Sequence, residues 1–193
     1  MSNAPIPRPA LLLGAAGLLP SLAMPPLLAA GGDAAAFALQ AGPAYGALIA
    51  SFIGGAWWGL AANRAEGAAL TRWLVASVLP MLAAWVALLL PPQAGLLLLA
   101  VIFALLPLAD RAAQAASMAP AWWWRLRLPL SLLMACLHGV SAGMALNDRG
   151  FSLPASHSLR VPLRAISPLL HGQIGRTDLA SAGLPPRPYP RSF

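Results

Sequence analysis

Five long apolar runs without a single Asp, Glu, Lys or Arg constrain this chain more than any other feature. Each run has the length of about 17–25 residues that an α-helix needs to cross the hydrocarbon core of a bilayer. Lipid offers no partner for backbone N–H and C=O groups, so these segments are predicted to be helices. Apolar stretches such as residues 96–99 do not alternate with polar residues, which excludes a transmembrane barrel. The predicted spans are residues 10–30, 44–62, 73–90, 92–109 and 128–146.

The composition indicates that lipid rather than water surrounds most of the chain. Hydrophobic residues make up 59% of the 193 residues and charged residues 9%, whereas a soluble domain carries about 25% charged residues. We therefore predict an all-α fold, a polytopic membrane helix bundle with five transmembrane helices in residues 1–146. Residues 147–193 are rich in Arg and Pro and are expected to form a disordered tail, with a non-native extension as the alternative.

Two further features of the sequence bear on processing and pairing. The first run, with Arg8 before it and small residues near position 30, also resembles a cleaved signal peptide. Its length and its three prolines favour a retained span instead. The chain has one cysteine, Cys136, so it forms no internal disulfide.

The arginine distribution predicts the orientation of the bundle. With a cytoplasmic N-terminus, six arginines fall in the inside segments of the bundle and none in the short outside segments, residues 31–43 and 91–93. Most tryptophans lie near the same arginine-bearing ends, where indole rings fit the headgroup level. The predicted interface anchors are Trp57, Trp58, Trp73, Trp122, Trp123, Trp124, Arg64, Arg72, Arg111, Arg125 and Arg127.

Small residues recur every four positions in two of the predicted spans. The two faces consist of Ser51, Gly55 and Gly59 in the second span and Ala135, Gly139 and Gly143 in the fifth. Small residues let helix backbones approach closely, where packing replaces the hydrophobic drive that lipid removes. We expect both faces to pack within the bundle, with homodimerisation as the alternative.

His138 is the one ionisable side chain other than Cys136 in the middle of a predicted span. Burial of an ionisable group in a membrane is costly, so His138 is a candidate proton relay or substrate contact. The alternative is a neutral histidine that is bonded to a nearby carbonyl, to Ser131 or to Ser141.

Pro20 and Pro80 lie well inside the first and third predicted spans. Each removes a backbone donor and is expected to kink its helix. Transporters use broken helices to bind ions, although a structural kink is the simpler interpretation.

The sequence predicts no catalytic, cofactor or metal site. Its acids Asp33, Glu66 and Asp110 all lie at the ends of predicted spans, and no Cys, His, Asp and Glu cluster has metal-ligand spacing. The chain has no lysine, which excludes a phosphate-binding loop of the Gly-rich, Lys-containing type. The arginines form no basic face, so nucleic acid is not an expected partner. The predicted partners are the lipid bilayer and either other membrane proteins or a second copy of the chain.

Several stretches carry a resemblance to a known family. They read PRPALLLGAAGLLP near the start, YGALIASFIGGAWWGLA at residues 45–61, SVLPMLAAWVALLLPP at 77–92 and ADRAAQAASMAPAWWWRLRLPLSLL at 109–133. In this order they resemble the small membrane proteins grouped as domain of unknown function 3429, a family that includes transmembrane protein 69-like proteins. Members often carry a polar residue where this chain has Trp57, and the tail matches nothing in the family.

The resemblance implies a multi-span membrane protein of bacteria or mitochondria and no particular activity. We therefore expect a location in a bacterial inner membrane with the N-terminus in the cytoplasm, or alternatively in the mitochondrial inner membrane. The favoured functional hypothesis is a non-catalytic structural, assembly or interaction role. A small-molecule or ion transporter that uses Pro20, Pro80 and His138 is the first alternative. A lipid enzyme at the membrane surface, with Asp110 among its residues, is the second.

Overall fold

The structure is a computed structural model, and it describes residues 5–147 as a bundle of α-helices. No residue in that range belongs to a β-strand. The helices are α1 (Arg8–Ala16), α2 (Leu19–Ala30), α3 (Gly32–Arg64), α4 (Gly67–Leu89), α5 (Pro92–Ala115) and α6 (Trp123–Asn147). Apart from its first residue, the predicted disordered tail lies outside the described residues.

Five segments of the bundle are long and apolar enough to cross a membrane. They are α1 together with α2, and then α3, α4, α5 and α6 singly. These segments confirm the predicted fold class, an all-α membrane bundle with five transmembrane helices. Large apolar side chains such as Leu12, Phe52 and Leu108 are exposed on the outer surface of the bundle. Lipid tails are as apolar as these side chains, so the exposure fits a membrane environment.

Four helices, α3 to α6, extend by five residues or more beyond the spans predicted from the apolar runs, and α4 begins at Gly67 instead of residue 73. α3 includes residues 32–43, where a loop was expected, and its 33 residues measure about 50 Å at 1.5 Å per residue. It is therefore longer than the hydrocarbon core of about 30 Å. α5 continues to Ala115 and α6 begins at Trp123, so the connection between the fourth and fifth predicted spans shortens to residues 116–122. Charged residues end an apolar run without ending a helix, because their backbone groups still join the hydrogen-bond ladder.

The first membrane segment is broken rather than kinked. α1 ends before Gly17, and Pro20 lies in the first turn of α2, where a missing N–H is tolerated. Because Pro20 cannot donate to the carbonyl four residues earlier, the helical ladder is interrupted at residues 17–18. The Tyr45 hydroxyl of α3 donates a 2.7 Å hydrogen bond to the Gly17 carbonyl at this break. Pro80 lies inside α4, as predicted.

The core lies where α3, α5 and α6 meet, with α2 and α4 packed around them. α5 packs on α6, α3 packs on α4, and α2 contacts both α3 and α6. Phe103 and Leu99 of α5 are 0% exposed at the centre of the main apolar cluster, together with Ala50 and Met134. These side chains place α5 in the interior of the bundle.

Two helix crossings in the bundle depend on glycine. A Cβ atom on Gly54 would collide with the Ser77 carbonyl of α4, and one on Gly95 would collide with the Ala87 carbonyl. Both positions therefore bring a helix backbone directly against its neighbour, as small residues do in membrane bundles.

The predicted small-residue faces differ from these crossings. Three of their residues are exposed, with no atom of residues 5–147 within 4 Å of an added Cβ: Gly55, Gly59 and Gly143. The other three are half-buried: Ser51, Ala135 and Gly139. Internal packing is therefore not the role of Gly55 and Gly59, because the turn of α3 directs the neighbouring Gly54 towards α4.

Candidate functional site

Asp110 is a buried carboxylate near the end of α5. The sequence places it just beyond an apolar run, but α5 continues to Ala115, so Asp110 lies inside a helix and is 0% exposed. A charged group at such a position must be paired or hydrogen-bonded, because burial of an isolated charge is strongly unfavourable.

Three donors from two other helices satisfy this carboxylate. The indole N–H of Trp57 on α3 and the indole N–H of Trp123 on α6 each donate to Asp110 Oδ1 at 2.8 Å. Arg127 on α6 donates from Nε to Asp110 Oδ2 at 3.2 Å and forms an ion pair with it. We call Trp57, Asp110, Trp123 and Arg127 the Asp110 cluster. It ties α3, α5 and α6 together at one end of the bundle.

Arg127 extends this cluster along α6. Its Nη2 donates to the Ser131 hydroxyl at 3.3 Å, one helical turn further on. The Arg127 side chain is 13% exposed and Ser131 is 1% exposed. The guanidinium therefore binds a carboxylate and a hydroxyl inside the bundle.

These contacts correct the expectation for two of the predicted interface anchors. Trp57 is 3% exposed and Arg127 is directed to Asp110, so neither lies at the outer surface where headgroups would be. Other predicted anchors are exposed on the surface, and they are Trp58, Arg64, Arg72, Arg111 and Arg125. The remaining tryptophans are half-buried: Trp73, Trp122, Trp123 and Trp124. Arg111 lies over the Trp124 ring at 5.8 Å, a cation–π contact.

His138 forms the second polar feature of the interior. Its imidazole is 0% exposed, and Nδ1 lies 2.8 Å from the Met134 carbonyl one turn earlier on α6. A carbonyl only accepts, so Nδ1 carries the hydrogen and Nε2 presents a lone pair. Nε2 contacts no donor among the described residues. The ring also lies 5.2 Å from Phe103, measured between centroids.

Two serines, like His138, are buried and carry a polar atom that no described residue satisfies. The Ser21 hydroxyl of α2 and the Ser141 hydroxyl of α6 are 0% exposed and find no hydrogen-bond partner among the described residues. We call Ser21, His138 and Ser141 the mid-bundle polar group. A buried polar atom without a partner costs about 1–3 kcal/mol, so three of them need an explanation.

The apolar contacts around these residues place Ser21 near the level of His138. Met24, three residues after Ser21, packs in the same small cluster as Ala142, four residues after His138. On α3, Gly42 lies against Met24, and Gly46, one turn further on, lies against His138 Nε2. Ser21 therefore lies within about one helical turn of the level of His138.

A cavity of about 110 Å³ lies between the break of the first segment and helices α3, α5 and α6. Its lining is mostly apolar, and its polar members are Arg127 and Ser131. Phe103 and Met134 also line it, and both contact His138. The cavity therefore joins the Asp110 cluster to the vicinity of the mid-bundle polar group.

Sequence reasoning singled out His138, Ser131 and Ser141 but not the Asp110 cluster. The structure places all three on the buried face of α6, at the i, i+7 and i+10 positions from Ser131. Asp110 and Arg127 were assigned to span ends because the apolar runs stop beside them. Their pairing joins residues that are 17 positions apart, and periodicity within one helix carries no information about it. Ser21 was missed because a single serine in an apolar run gives no signal.

Comparison with known proteins places the chain in a family. The family described as "Protein of unknown function (DUF3429)" matches residues 6–143. The chain belongs to this family. The matched region includes all of the Asp110 cluster and the mid-bundle polar group. The resemblance noted in the sequence is thereby confirmed.

A curated relative points to the same environment. The chain is 44% identical over 85 residues to "Transmembrane protein 69" of Xenopus tropicalis, and the match covers 43% of this chain and 33% of the relative. The chain thus spans about a third of the length of that relative. No solved structure matches the chain. The family, the relative and the five apolar helices identify a transmembrane protein.

Proposed function

We propose that this chain has a non-catalytic assembly role in the membrane and that its partner is a second copy of itself, bound through α3. The observation that carries the proposal is the exposed glycine pair Gly55 and Gly59. Within the described bundle nothing lies within 4 Å of a Cβ added at either position. An exposed glycine pair four residues apart lets a second helix approach closely, where van der Waals packing holds helices together in lipid.

The surroundings of this glycine pair support a helix-docking face. Leu48 and Phe52 precede Gly55 at seven and three positions, on the same side of α3, and they are 68% and 74% exposed. Large side chains next to small ones create a ridge beside a groove. An identical face on a second copy provides the matching groove and ridge, as in the isologous interface of a two-fold dimer.

The Asp110 cluster also favours a non-catalytic role. The carboxylate that an enzyme at the membrane surface would use is 0% exposed, and both of its oxygens accept hydrogen bonds. A headgroup would have to displace Trp57, Trp123 or Arg127 to reach it. The geometry supports a structural role in which the cluster holds three helices together. It disfavours the lipid-enzyme alternative, because Asp110 was the main catalytic candidate of that alternative.

Association in liposomes tests the proposal. The native cysteine, Cys136, is exposed and accepts a donor or an acceptor dye. Energy transfer between differently labelled copies is measured as the lipid-to-protein ratio rises. We expect transfer above the level of random proximity for the wild-type protein and its loss for Gly55→Leu with Gly59→Leu.

Gly143→Leu provides a matched control, because Gly143 is also an exposed helix glycine and no described residue lies within 4 Å of an added Cβ. We expect it to leave energy transfer unchanged. Transfer that persists in the Gly55→Leu, Gly59→Leu protein would contradict association through this face. Transfer at the random level for the wild-type protein would contradict self-association altogether.

A further inference from the structure

The mid-bundle polar group consists of three buried polar atoms that the bundle itself does not satisfy: Ser21 Oγ, His138 Nε2 and Ser141 Oγ. Among the described residues one other buried side-chain atom lacks a partner, Gln114 Oε1, and it lies in the last turn of α5 rather than in this group. Ser77 donates to the Leu74 carbonyl, and Tyr45 donates to the Gly17 carbonyl. Since native interiors satisfy nearly all of their buried polar groups, three such atoms near one level of the core indicate a ligand.

The chemistry of His138 limits what that ligand is. Because Nδ1 donates to Met134, the lone pair of Nε2 is held towards α3, where it lies against Gly46. A Cβ on Gly46 would lie 2.5 Å from Nε2, so the imidazole packs directly against the Gly46 backbone and only glycine fits at this position. No described donor satisfies the lone pair of Nε2, which is free to accept a proton or a hydrogen bond.

The charged and titratable groups near this histidine favour a proton over a metal ion or a resident cation. Among the described residues no group of three His, Cys, Asp or Glu side chains could hold a metal. α2 contains no ionisable residue. On α5, Asp110 is already paired with Arg127 of α6. On α3, Tyr45 is the neighbour of Gly46, and its hydroxyl donates to Gly17. No carboxylate therefore remains to balance a permanent cation, whereas a proton binds covalently to Nε2 and leaves again.

A polar route reaches His138 from the Asp110 cluster. Arg127, Ser131, His138 and Ser141 share the buried face of α6 and span 14 residues, or about 21 Å at 1.5 Å per residue. This is about two thirds of a hydrocarbon core of about 30 Å. The cavity beside Arg127 and Ser131 has a volume of about 110 Å³, more than a single water needs, and Phe103 and Met134, which contact His138, are also in its lining.

We propose that His138 binds and releases protons on a path along the buried face of α6. Protons reach His138 by way of Ser131 and the adjoining cavity, and they leave by way of Ser141 and Ser21. A hydrated proton is transferred to Nε2, which forms an N–H bond and gives an imidazolium. The same N–H bond then breaks, the proton passes to water or a hydroxyl on the Ser141 side, and the imidazole returns to its neutral form. The Nδ1–H bond to Met134 stays intact throughout, and no oxidant or reductant is needed.

Proton flux into liposomes tests this path. The full-length protein is reconstituted with a pH-sensitive dye inside, and a potassium gradient with valinomycin sets the membrane potential. We expect the wild-type protein to acidify the lumen faster than protein-free liposomes do. His138→Gln keeps a polar side chain that does not take up a proton at neutral pH, and we expect its flux to fall to the protein-free rate.

Two further variants keep the test decisive if His138→Gln disturbs folding. The Cβ of Gly46→Ala would clash with Nε2 and displace the imidazole, so we expect this variant to reduce the flux; Gly55→Ala on the same helix meets no described atom within 4 Å and is expected to leave the flux unchanged. Cys136→Ser, two residues from His138 and exposed, is a control on α6. Each variant is accepted only if it elutes as the wild-type protein does and keeps its helical circular dichroism.

The outcomes separate the possibilities. Wild-type flux that His138→Gln abolishes and Gly46→Ala reduces supports the path. Flux that survives in a folded His138→Gln protein would overturn it, and so would a wild-type rate equal to that of empty liposomes. In the second case, the three polar atoms hold a neutral ligand such as ordered water. Dye transfer between protein copies is unaffected by either result, so the assembly proposal stands or fails separately.

Discussion

Replacement of Asp110 by alanine is the perturbation that tests the Asp110 cluster most severely. In the structure this carboxylate accepts from Trp57 and Trp123 at 2.8 Å and from Arg127 at 3.2 Å, and it is 0% exposed. Asp110→Ala leaves a guanidinium without its counter-ion and two indole N–H groups without their acceptor. The fold would lose the hydrogen bonds and the ion pair that connect α3, α5 and α6.

The size of the stability loss follows from the two kinds of contact that Asp110 makes, the ion pair and the hydrogen bonds. Removal of one partner from a buried ion pair costs about 3–5 kcal/mol, and we take about 3 because Arg127 is 13% exposed and can turn towards water. Hydrogen bonds inside membrane bundles are worth about 0.6 kcal/mol on average, so the two indoles add about 1 kcal/mol. We expect the free energy of unfolding to fall by about 4 kcal/mol in Asp110→Ala.

Unfolding by rising mole fractions of dodecyl sulfate in mixed micelles, followed by tryptophan fluorescence, measures this loss. Asp33→Asn is the matched control, because Asp33 is an exposed acid in the first turn of α3 and should change stability by less than about 0.5 kcal/mol. Arg127→Met in the Asp110→Ala background should cost far less than the sum of the single changes, since the pair disappears together. A stability loss in Asp110→Ala no larger than in Asp33→Asn would refute the reasoning.

Three smaller predictions concern packing and exposure. Gly54→Ala should destabilise the bundle by about 1–3 kcal/mol because its Cβ meets a backbone carbonyl, while Gly55→Ala should change stability by less than about 0.5 kcal/mol; equal losses in the same unfolding assay would contradict the assigned crossing. Trp57→Phe should lose one hydrogen bond to Asp110 and leave a small cavity, because phenyl is smaller than indole, at a cost of about 1–2 kcal/mol, and a loss as large as that of Asp110→Ala would count against the cluster. Cys136 should react with a lipid-soluble maleimide in folded liposomes, and labelling only after unfolding would contradict its exposed position.

The number of spans and the helical class follow from the sequence because they depend on local properties. A run without charges, long enough for a bilayer, has few alternatives to a helix, and the prediction needed no knowledge of neighbours. Helix ends were less predictable. α3 starts at Gly32 although a charge and further glycines follow, because backbone hydrogen bonds continue past the end of an apolar run.

The interior polar contacts could not be read from the sequence because they depend on how the helices turn towards one another. Gly54 and Gly55 are adjacent in the sequence, but Gly54 packs against α4 whereas Gly55 faces outward. The same turn carries Trp57 inward to Asp110, although its tryptophan–arginine surroundings are typical of a headgroup anchor. His138 was accessible to sequence reasoning because one ionisable residue within an apolar run is conspicuous by itself.

Cysteine accessibility is the most direct test that these helices span a bilayer. In a Cys136→Ser background, single cysteines are placed at Glu66, between α3 and α4, and at Gln93, at the start of α5. A membrane-impermeant maleimide is applied to intact cells and again after permeabilisation. We predict that Gln93→Cys is labelled in intact cells and that Glu66→Cys is labelled only after permeabilisation. Labelling of both positions from the same side would contradict a membrane-crossing α4.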